Sequence, residues 1–236
     1  MQKGDSLMHY VLSDIHGNAV RFDSILAQIQ LKPNDTLYIL GDVIDRFPDG
    51  IAVLEHIMHM NNAKMLLGNH EYMMLNAFAE DPSLSVEHTV TTALALWYQN
   101  GGDVTHSALK NLPLDRRTAI FRYLVNLPLN LDIPIGDAKF KLVHASPVEN
   151  ILCHKPNADP AAIKRYAVWI RFKESDPIPT GYTLIFGHTP TAFIPDVEPW
   201  RIWKGSRAIG IDCGCGYDVG CLGCLRLEDM QEFYSR

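Results

Sequence analysis

The sequence predicts an α/β fold with a helical insertion, and three observations carry that reading. The first seventy or so residues repeat one unit three times: an apolar run, a polar turn, then a helix or the start of one. From about Glu71 to Asn126 the apolar spacing is mostly helical. After Leu129 short apolar runs return, and no linker, low-complexity tract or repeat of solenoid period interrupts the chain, so residues 1–236 read as one domain.

Val11-Leu12 and their neighbours form the first buried strand, ending at Ser13-Asp14. Asn18 can cap the helix that follows, whose apolar residues are Val20, Ile25, Leu26 and Ile29. Thr36–Leu40 is the second strand, closed by Gly41-Asp42. A helix from about Asp49 to Met60 follows, with Ile51, Leu54, Ile57 and Met58 on one face. Lys64–Leu67 is the third strand, closed by Gly68-Asn69. In the insertion, Leu94, Leu96, Trp97 and Tyr98 are expected in the core, as are Met73 and Met74, and Asn100-Gly101-Gly102 stops a helix. Later strands are expected near 131–135, 138–143, 182–186, 200–203, 207–211 and 222–227, with a helix near 159–170.

Composition narrows the function. A net charge of −6 supplies no basic field for a nucleic-acid backbone, so no nucleic-acid partner is expected. No apolar run reaches the roughly 18 residues of a membrane span. Met1 to Tyr10 has no apolar export segment, and residues 1–7 read as a disordered extension or an upstream start. A cytoplasmic location is the expectation, with the five cysteines reduced.

Five segments follow apolar runs and offer Asp, His or Asn from a turn. They are Asp14-Ile15-His16-Gly17, Gly41-Asp42-Val43-Ile44-Asp45-Arg46, Gly68-Asn69-His70-Glu71, Val143-His144-Ala145 and Gly187-His188-Thr189-Pro190. One such turn is an ordinary loop; five at strand exits, where α/β folds place ligand sites, form a constellation. A cluster of two carboxylates, three imidazoles and one amide exceeds the four ligands of a structural zinc site, so two ions are expected. Mixed oxygen and nitrogen donors suit manganese, iron or zinc, with manganese the first choice. Asp42 is the expected bridging carboxylate.

In order and spacing these segments resemble the signature of the serine/threonine phosphoprotein phosphatases, within the calcineurin-like metallophosphoesterases, and are most similar to the compact bacterial and phage members. The likeness spans residues 14 to 190, and Asn100-Gly101-Gly102 and Trp169-Ile170-Arg171 add to it. It implies two packed mixed sheets flanked by helices. It implies Asp14, His16 and Asp42 on a first metal, and Asp42, Asn69, His144 and His188 on a second. Asp45 would orient His70, the general acid, while Arg46 and Arg171, with Asn69 and His70, would bind phosphate. Two ions roughly 3.5–4 Å apart would generate a bridging hydroxide for in-line attack on a phosphate monoester. The substrate expected is a phosphoserine or phosphothreonine protein, with phosphotyrosine or a small phosphorylated molecule as variants. Ser13 and Phe47 stand where relatives usually carry glycine.

The rival enzyme is a symmetrical dinucleoside tetraphosphatase, a group that the intact Asp45-Arg46 pair and Glu71 argue against. The rival of another class is a metal-binding scaffold without turnover, and the intact ligand set and His70 argue against it. Cys213, Cys215, Cys221 and Cys224 could hold a structural zinc; burial as small residues of a hairpin over Ile209–Leu227 is the expected reading, with Cys213 and Cys215 facing the same way. His9, His56, His59, His88, His106 and His154 fall in no ligand spacing.

Overall fold

The computed structural model describes residues 7–79, 92–195 and 198–235. The expected N-terminal extension, Leu7 apart, and His88 lie outside the described residues.

The first sheet has the order β10-β9-β1-β2-β3, from β1 (His9–Leu12), β2 (Thr36–Ile39), β3 (Ala63–Met65), β9 (Gly223–Arg226) and β10 (Glu232–Tyr234). β1, β2 and β3 run parallel, while β9 is antiparallel to both β1 and β10. The second sheet has the order β4-β5-β6-β8-β7, from β4 (Asn130–Ile135), β5 (Ala138–Val143), β6 (Thr183–Phe186), β7 (Trp203–Lys204) and β8 (Ala208–Gly210). Its centre, β5-β6-β8, is parallel, and β4 and β7 flank it antiparallel. Both sheets are mixed, as the resemblance implied.

Strand residues alternate between two cores because successive side chains leave a strand on opposite faces. Tyr10 and Leu12 of β1, and Leu37 and Ile39 of β2, pack against the helices. Val11, Tyr38 and Leu40 turn the other way and meet Leu142, Ile185 and Ile209 of the second sheet. The register aligns the strand ends: Leu12 pairs with Ile39, Ile39 with Met65, and Val143 with Phe186. The turns after these strands therefore emerge at one edge.

The first helix, α1 (Ala19–Ile29), is capped as expected, with the Asn18 side chain accepting from Arg21 N–H. Its buried stripe is Phe22, Ile25 and Ile29, and Val20 is 74% exposed. Phe22 lies on the buried face because its spacing to Ile25 and Ile29 keeps one side, whereas Val20, one of the helix's apolar residues, lies around the other side. α2 (Gly50–His59) buries Ile51, Leu54 and Ile57 as expected, and Val53 besides. Among the described residues the insertion holds α3 (Asn69–Ala77), α4 (Thr92–Gln99), α5 (Asp103–Lys110) and α6 (Leu114–Val125). Met73 and Met74 are core, but α4 buries only Leu94 and Trp97, one helical turn apart, leaving Leu96 and Tyr98 exposed on its flanks.

Three expectations near the C-terminus are corrected. The strand expected at 200–203 is only Trp203–Lys204, because Trp200 adopts a left-handed φ of 62° in the preceding turn. Ile209–Leu227 is not a hairpin: β8 pairs with β6 and β9 pairs with β1, so the chain crosses between sheets. Cys213 and Cys215 do not face the same way. Gly214, at φ 74°, breaks the extended backbone, and the two thiols enter different cores. The structure adds α7 (Val148–His154) and β10, both too short to show a period, before and after α8 (Pro160–Trp169).

The two sides of α1 should separate in a thermal melt. Phe22→Ala should cost about 3–5 kcal/mol, while Val20→Asp should change stability by less than about 0.5 kcal/mol.

Candidate metal centre

The turns after β1, β2, β3, β5 and β6 bring Asp14, His16, Asp42, Asn69, His70, His144 and His188 together. All are buried except His188, which is half-buried. The backbone is contorted to do this. Asp14, His16, Asp42, Asp45, Arg46 and His188 all have φ between 51° and 74°, a left-handed region in which Asp and His are among the tolerated residues. Such conformations cost about 1–3 kcal/mol each and persist only where neighbours hold them. Here Asp14 N–H donates to Gly41 O (3.1 Å), His16 N–H to Asp42 O (2.9 Å) and Gly17 N–H to Val43 O (2.7 Å), lacing the first turn to the second. Gly41 and Gly68 allow the second and third turns to touch: a Cβ on Gly41 would stand 2.6 Å from Gly68 Cα.

The hydrogen bonds fix which nitrogen of each imidazole faces inward. His144 Nδ1 lies 2.7 Å from Leu40 O, His16 Nδ1 3.2 Å from Ile44 O, and His188 Nε2 3.2 Å from Trp169 O. A carbonyl only accepts, so each of these nitrogens carries the proton, and the other nitrogen presents a lone pair. Those lone pairs meet further acceptors. His144 Nε2 and His188 Nδ1 are each 2.9 Å from Asn69 Oδ1, and His144 Nε2 is 3.5 Å from Asp42 Oδ1. His16 Nε2 is 3.9 Å from both Asp14 Oδ1 and Asp42 Oδ2. Acceptors facing acceptors in a buried space repel unless a cation lies between them. The donor set therefore fits divalent metal.

The protonation equilibria agree. Burial, then the neighbouring His70 and Arg46, holds His16 well below its ordinary range, and burial with His144 and Arg171 takes His188 down to about 2. Both are neutral, ligand-competent imidazoles at pH 7. Burial and the adjacent Asp14 and Glu71 push Asp42 well above the carboxylate range, the strain that a cation would relieve. Asp42 belongs to two clusters able to hold an ion, one with His16 and His70, the other with His144 and His188.

His70 differs from the other imidazoles. Its Nδ1 is 2.7 Å from Asp45 Oδ2, which also accepts from Trp97 Nε1 at 2.8 Å. Burial works against a charge on His70, but the Asp42 and Asp45 carboxylates outweigh it and raise its pKa. Arg46 Nη2 sits 3.4 Å from His70 Nε2, and its guanidinium lies 5.1 Å over the Tyr217 ring. Arg171 is exposed, two residues beyond α8, and its charge is felt at His188. It stands at the rim and not in the cluster.

The calcineurin-like phosphoesterase profile matches residues 10–220, nearly the whole chain. The chain belongs to that family. Metallophosphoesterase chemistry, hydrolysis of a phosphoester with divalent metal, comes with the family. A symmetrical bis(5'-nucleosyl)-tetraphosphatase of Serratia proteamaculans is 24% identical over 95% of this chain and 92% of its own length. The Pectobacterium carotovorum enzyme of the same name is 38% identical, but over 30% of this chain and only 26% of its own length. A solved structure of a protein proposed to be a diadenosine tetraphosphatase superposes with a TM-score of 0.65 at 17% identity, covering 98% of this chain and 94% of that one. The cold-active protein-tyrosine phosphatase of a psychrophilic Shewanella superposes with a TM-score of 0.57 at 18% identity, covering 98% and 80%. At these identities the superpositions show the fold.

Several residues of this phosphoesterase site carried no assigned role in the sequence. Glu71 accepts from the N–H groups of Asp42 (2.9 Å), Val43 (2.8 Å) and Gly68 (3.1 Å), clamping two ligand turns with one carboxylate. Trp97 braces Asp45 from the insertion, and Thr105 Oγ1 accepts from Asp45 N–H at 3.0 Å. Asp212, buried and pushed upward by burial and by Asp14, accepts from Gly214 N–H at 2.9 Å. The helix and strand pattern gives no signal for such contacts; only Glu71 had a motif to announce it. Ser13, the departure before Asp14, donates its hydroxyl to Asp14 Oδ2. Beyond His188, a cleft of about 660 Å³ opens between the insertion and α8, lined by Tyr72, Met73, Leu96, Arg165 and Trp169 among others.

Manganese at about a hundred times its dissociation constant should stabilise the protein by about 2.7 kcal/mol, read as a rise in Tm. Asp42→Asn should abolish the rise. Glu71→Gln, which turns an amide N–H toward backbone donors, should weaken binding about 10–100-fold by calorimetry.

Proposed function

We propose that the protein is a metal-dependent phosphatase of the phosphoprotein phosphatase type, hydrolysing phosphate monoesters of serine or threonine in proteins. Asp14, His16 and Asp42 would hold one ion and Asp42, Asn69, His144 and His188 the other, with manganese the first candidate and iron or zinc the alternatives. When bound, the ions would supply an activated water and neutralise charge on the phosphoryl oxygens.

The observation that carries this reading is the buried Asp45–His70 pair at 2.7 Å. An alkoxide is a poor leaving group and needs a proton as the P–O bond breaks. His70, with Nδ1 held by Asp45 and its pKa raised, turns Nε2 toward Asp42 at 3.9 Å, from where the protonated imidazole would donate to the leaving oxygen. General-acid help of this kind gives about 10²–10⁴-fold. A nucleotide leaving group is already a stable anion and gains little from such an acid. Arg46, beside His70 Nε2, offers the planar fork that matches phosphate oxygens. Arg171, Asn69 and His70 complete the proposed phosphate contacts.

A second reading, a symmetrical dinucleoside tetraphosphatase, is favoured by the Serratia alignment, which runs through almost the whole of both chains.

Leaving-group dependence separates the two. With manganese, His70→Asn should slow hydrolysis of a phosphoserine peptide by about 10²–10⁴-fold and of p-nitrophenyl phosphate, whose phenolate leaves easily, by much less. Asp42→Asn should remove both activities. Faster turnover of diadenosine tetraphosphate than of any monoester, with His70→Asn nearly neutral, would replace the first reading with the second.

A further inference from the structure

Away from the metal ligands, Cys213 and Cys221 close the two ends of the 214–220 loop. Cys221 N–H donates to Cys213 O at 2.9 Å, and the two side chains meet in the same apolar layer between the sheets. Cys213 is buried; Cys221 is half-buried, with its Sγ 3.3 Å from Trp200 O. The loop between them is packed onto the site. The Trp200 ring leans on Tyr217, with centroids 5.7 Å apart and planes tilted by 43°, and Tyr217 lies under the Arg46 guanidinium. Gly216 is so close to His16 and Arg46 that a Cβ there would stand 2.6 Å from Arg46 Nη1.

The four cysteines near the C-terminus are chemically unequal. Burial pushes Cys215 up to about 12 and Cys224 further still. Cys221 goes the other way, to about 7, held down by the Cys213 thiol and then by Arg201 and Arg21. A partly accessible thiol near neutrality beside a second thiol is the arrangement of an oxidisable pair, whereas buried thiols far from ionisation are inert.

We propose that Cys213 and Cys221 form a hydroperoxide-responsive thiol pair whose disulfide alters the loop that braces Arg46. The Cys221 thiolate attacks the terminal oxygen of the hydroperoxide. An S–O bond forms, the O–O bond breaks, and the departing alkoxide takes a proton to leave as alcohol, or as water from hydrogen peroxide. The Cys213 sulfur then attacks the sulfenic sulfur. The S–S bond forms, and the displaced hydroxide leaves as water with the Cys213 proton. Two electrons pass from the two thiols to one hydroperoxide. The disulfide removes the Cys221 S–H donor from Trp200 O, loosening the contacts that run from Trp200 through Tyr217 to Arg46. Its effect on activity rests on the reading of Arg46 as a phosphate ligand; formation of the bond does not.

The test uses the full-length, manganese-loaded chain with Cys153→Ser, which removes the exposed thiol. After hydrogen peroxide, cleavage before Asp218 places Cys213 and Cys221 on separate peptides. Mass spectrometry should find the two peptides linked, short of two hydrogens, with the link lost on dithiothreitol, absent in Cys213→Ser and in Cys221→Ser, and kept in Cys215→Ser. KM for p-nitrophenyl phosphate should rise several-fold with kcat changed less, and dithiothreitol should restore it. If the protein does not turn over the monoester, calorimetric affinity for inorganic phosphate serves as the readout. Both thiols remaining free to alkylate, or over-oxidising without a link, would overturn the pair. A clean link with unchanged KM and phosphate affinity would overturn its coupling to Arg46.

Discussion

The Glu71 carboxylate is the constraint on which the site depends. One buried group accepts three short backbone bonds, from Asp42, Val43 and Gly68, and so joins the turn after β2 to the turn after β3. Hydrogen bonds to a charged acceptor contribute about 1.5–3 kcal/mol each. That is the size of the cost of holding a residue left-handed, about 1–3 kcal/mol, and Asp42 is so held at φ 54°. Without the clamp the Asp42 turn would relax, and its two carboxylate oxygens, which reach His16 and His144 on opposite sides, could no longer serve both clusters. Through Asp42 O and Val43 O the same turn also holds His16 N–H and Gly17 N–H. The clamp thus reaches three of the five ligand-bearing turns.

A site of this kind opposes folding until it is filled. Lone pairs of His144 and His188 converge on Asn69 Oδ1, beside the buried Asp42 carboxylate. The compensation comes from the sheets: the aligned strand ends and the apolar layer between β2 and β6 fix where the turns emerge. Metal binding would therefore be coupled to folding, since a cation would offset the least favourable part of the structure.

The candidate ligand set was legible because each member follows a short apolar run, and parallel strands in register must deliver their turns to one edge. Asp14, His16, Asp42, Asn69, His144 and His188 all converge there. Less legible was whatever depends on packing across the sequence. Val20 and Phe22 of α1 are equally apolar, and only the sheet decides which faces it. Trp97 reads as core, and is core, yet its indole N–H reaches Asp45 fifty-two residues away. The segment after β8 reads as a hairpin because glycines punctuate it; in the structure those glycines carry the chain from one sheet to the other, over the site. Tyr217 and Asp212 reach the centre on that crossing, where no apolar period announces them.

The two halves of the chemistry rest on different parts of the fold. The ligands are set by the strand ends and by Glu71. The Asp45–His70 pair and Arg46 are held by the insertion: Trp97 and Thr105 bind Asp45, and Gly101 O accepts from Arg46 N–H at 3.0 Å. A change in the insertion can therefore loosen the proposed acid and the arginine while leaving the candidate ligand turns in place. Loss of the acid matters most where the leaving group is a poor one. Small changes around Asp45 would then shift preference between alkyl phosphates and phosphoanhydrides without disturbing the centre. On this physical ground, one ligand framework can serve proteins named for such different substrates as dinucleoside polyphosphates and phosphorylated proteins.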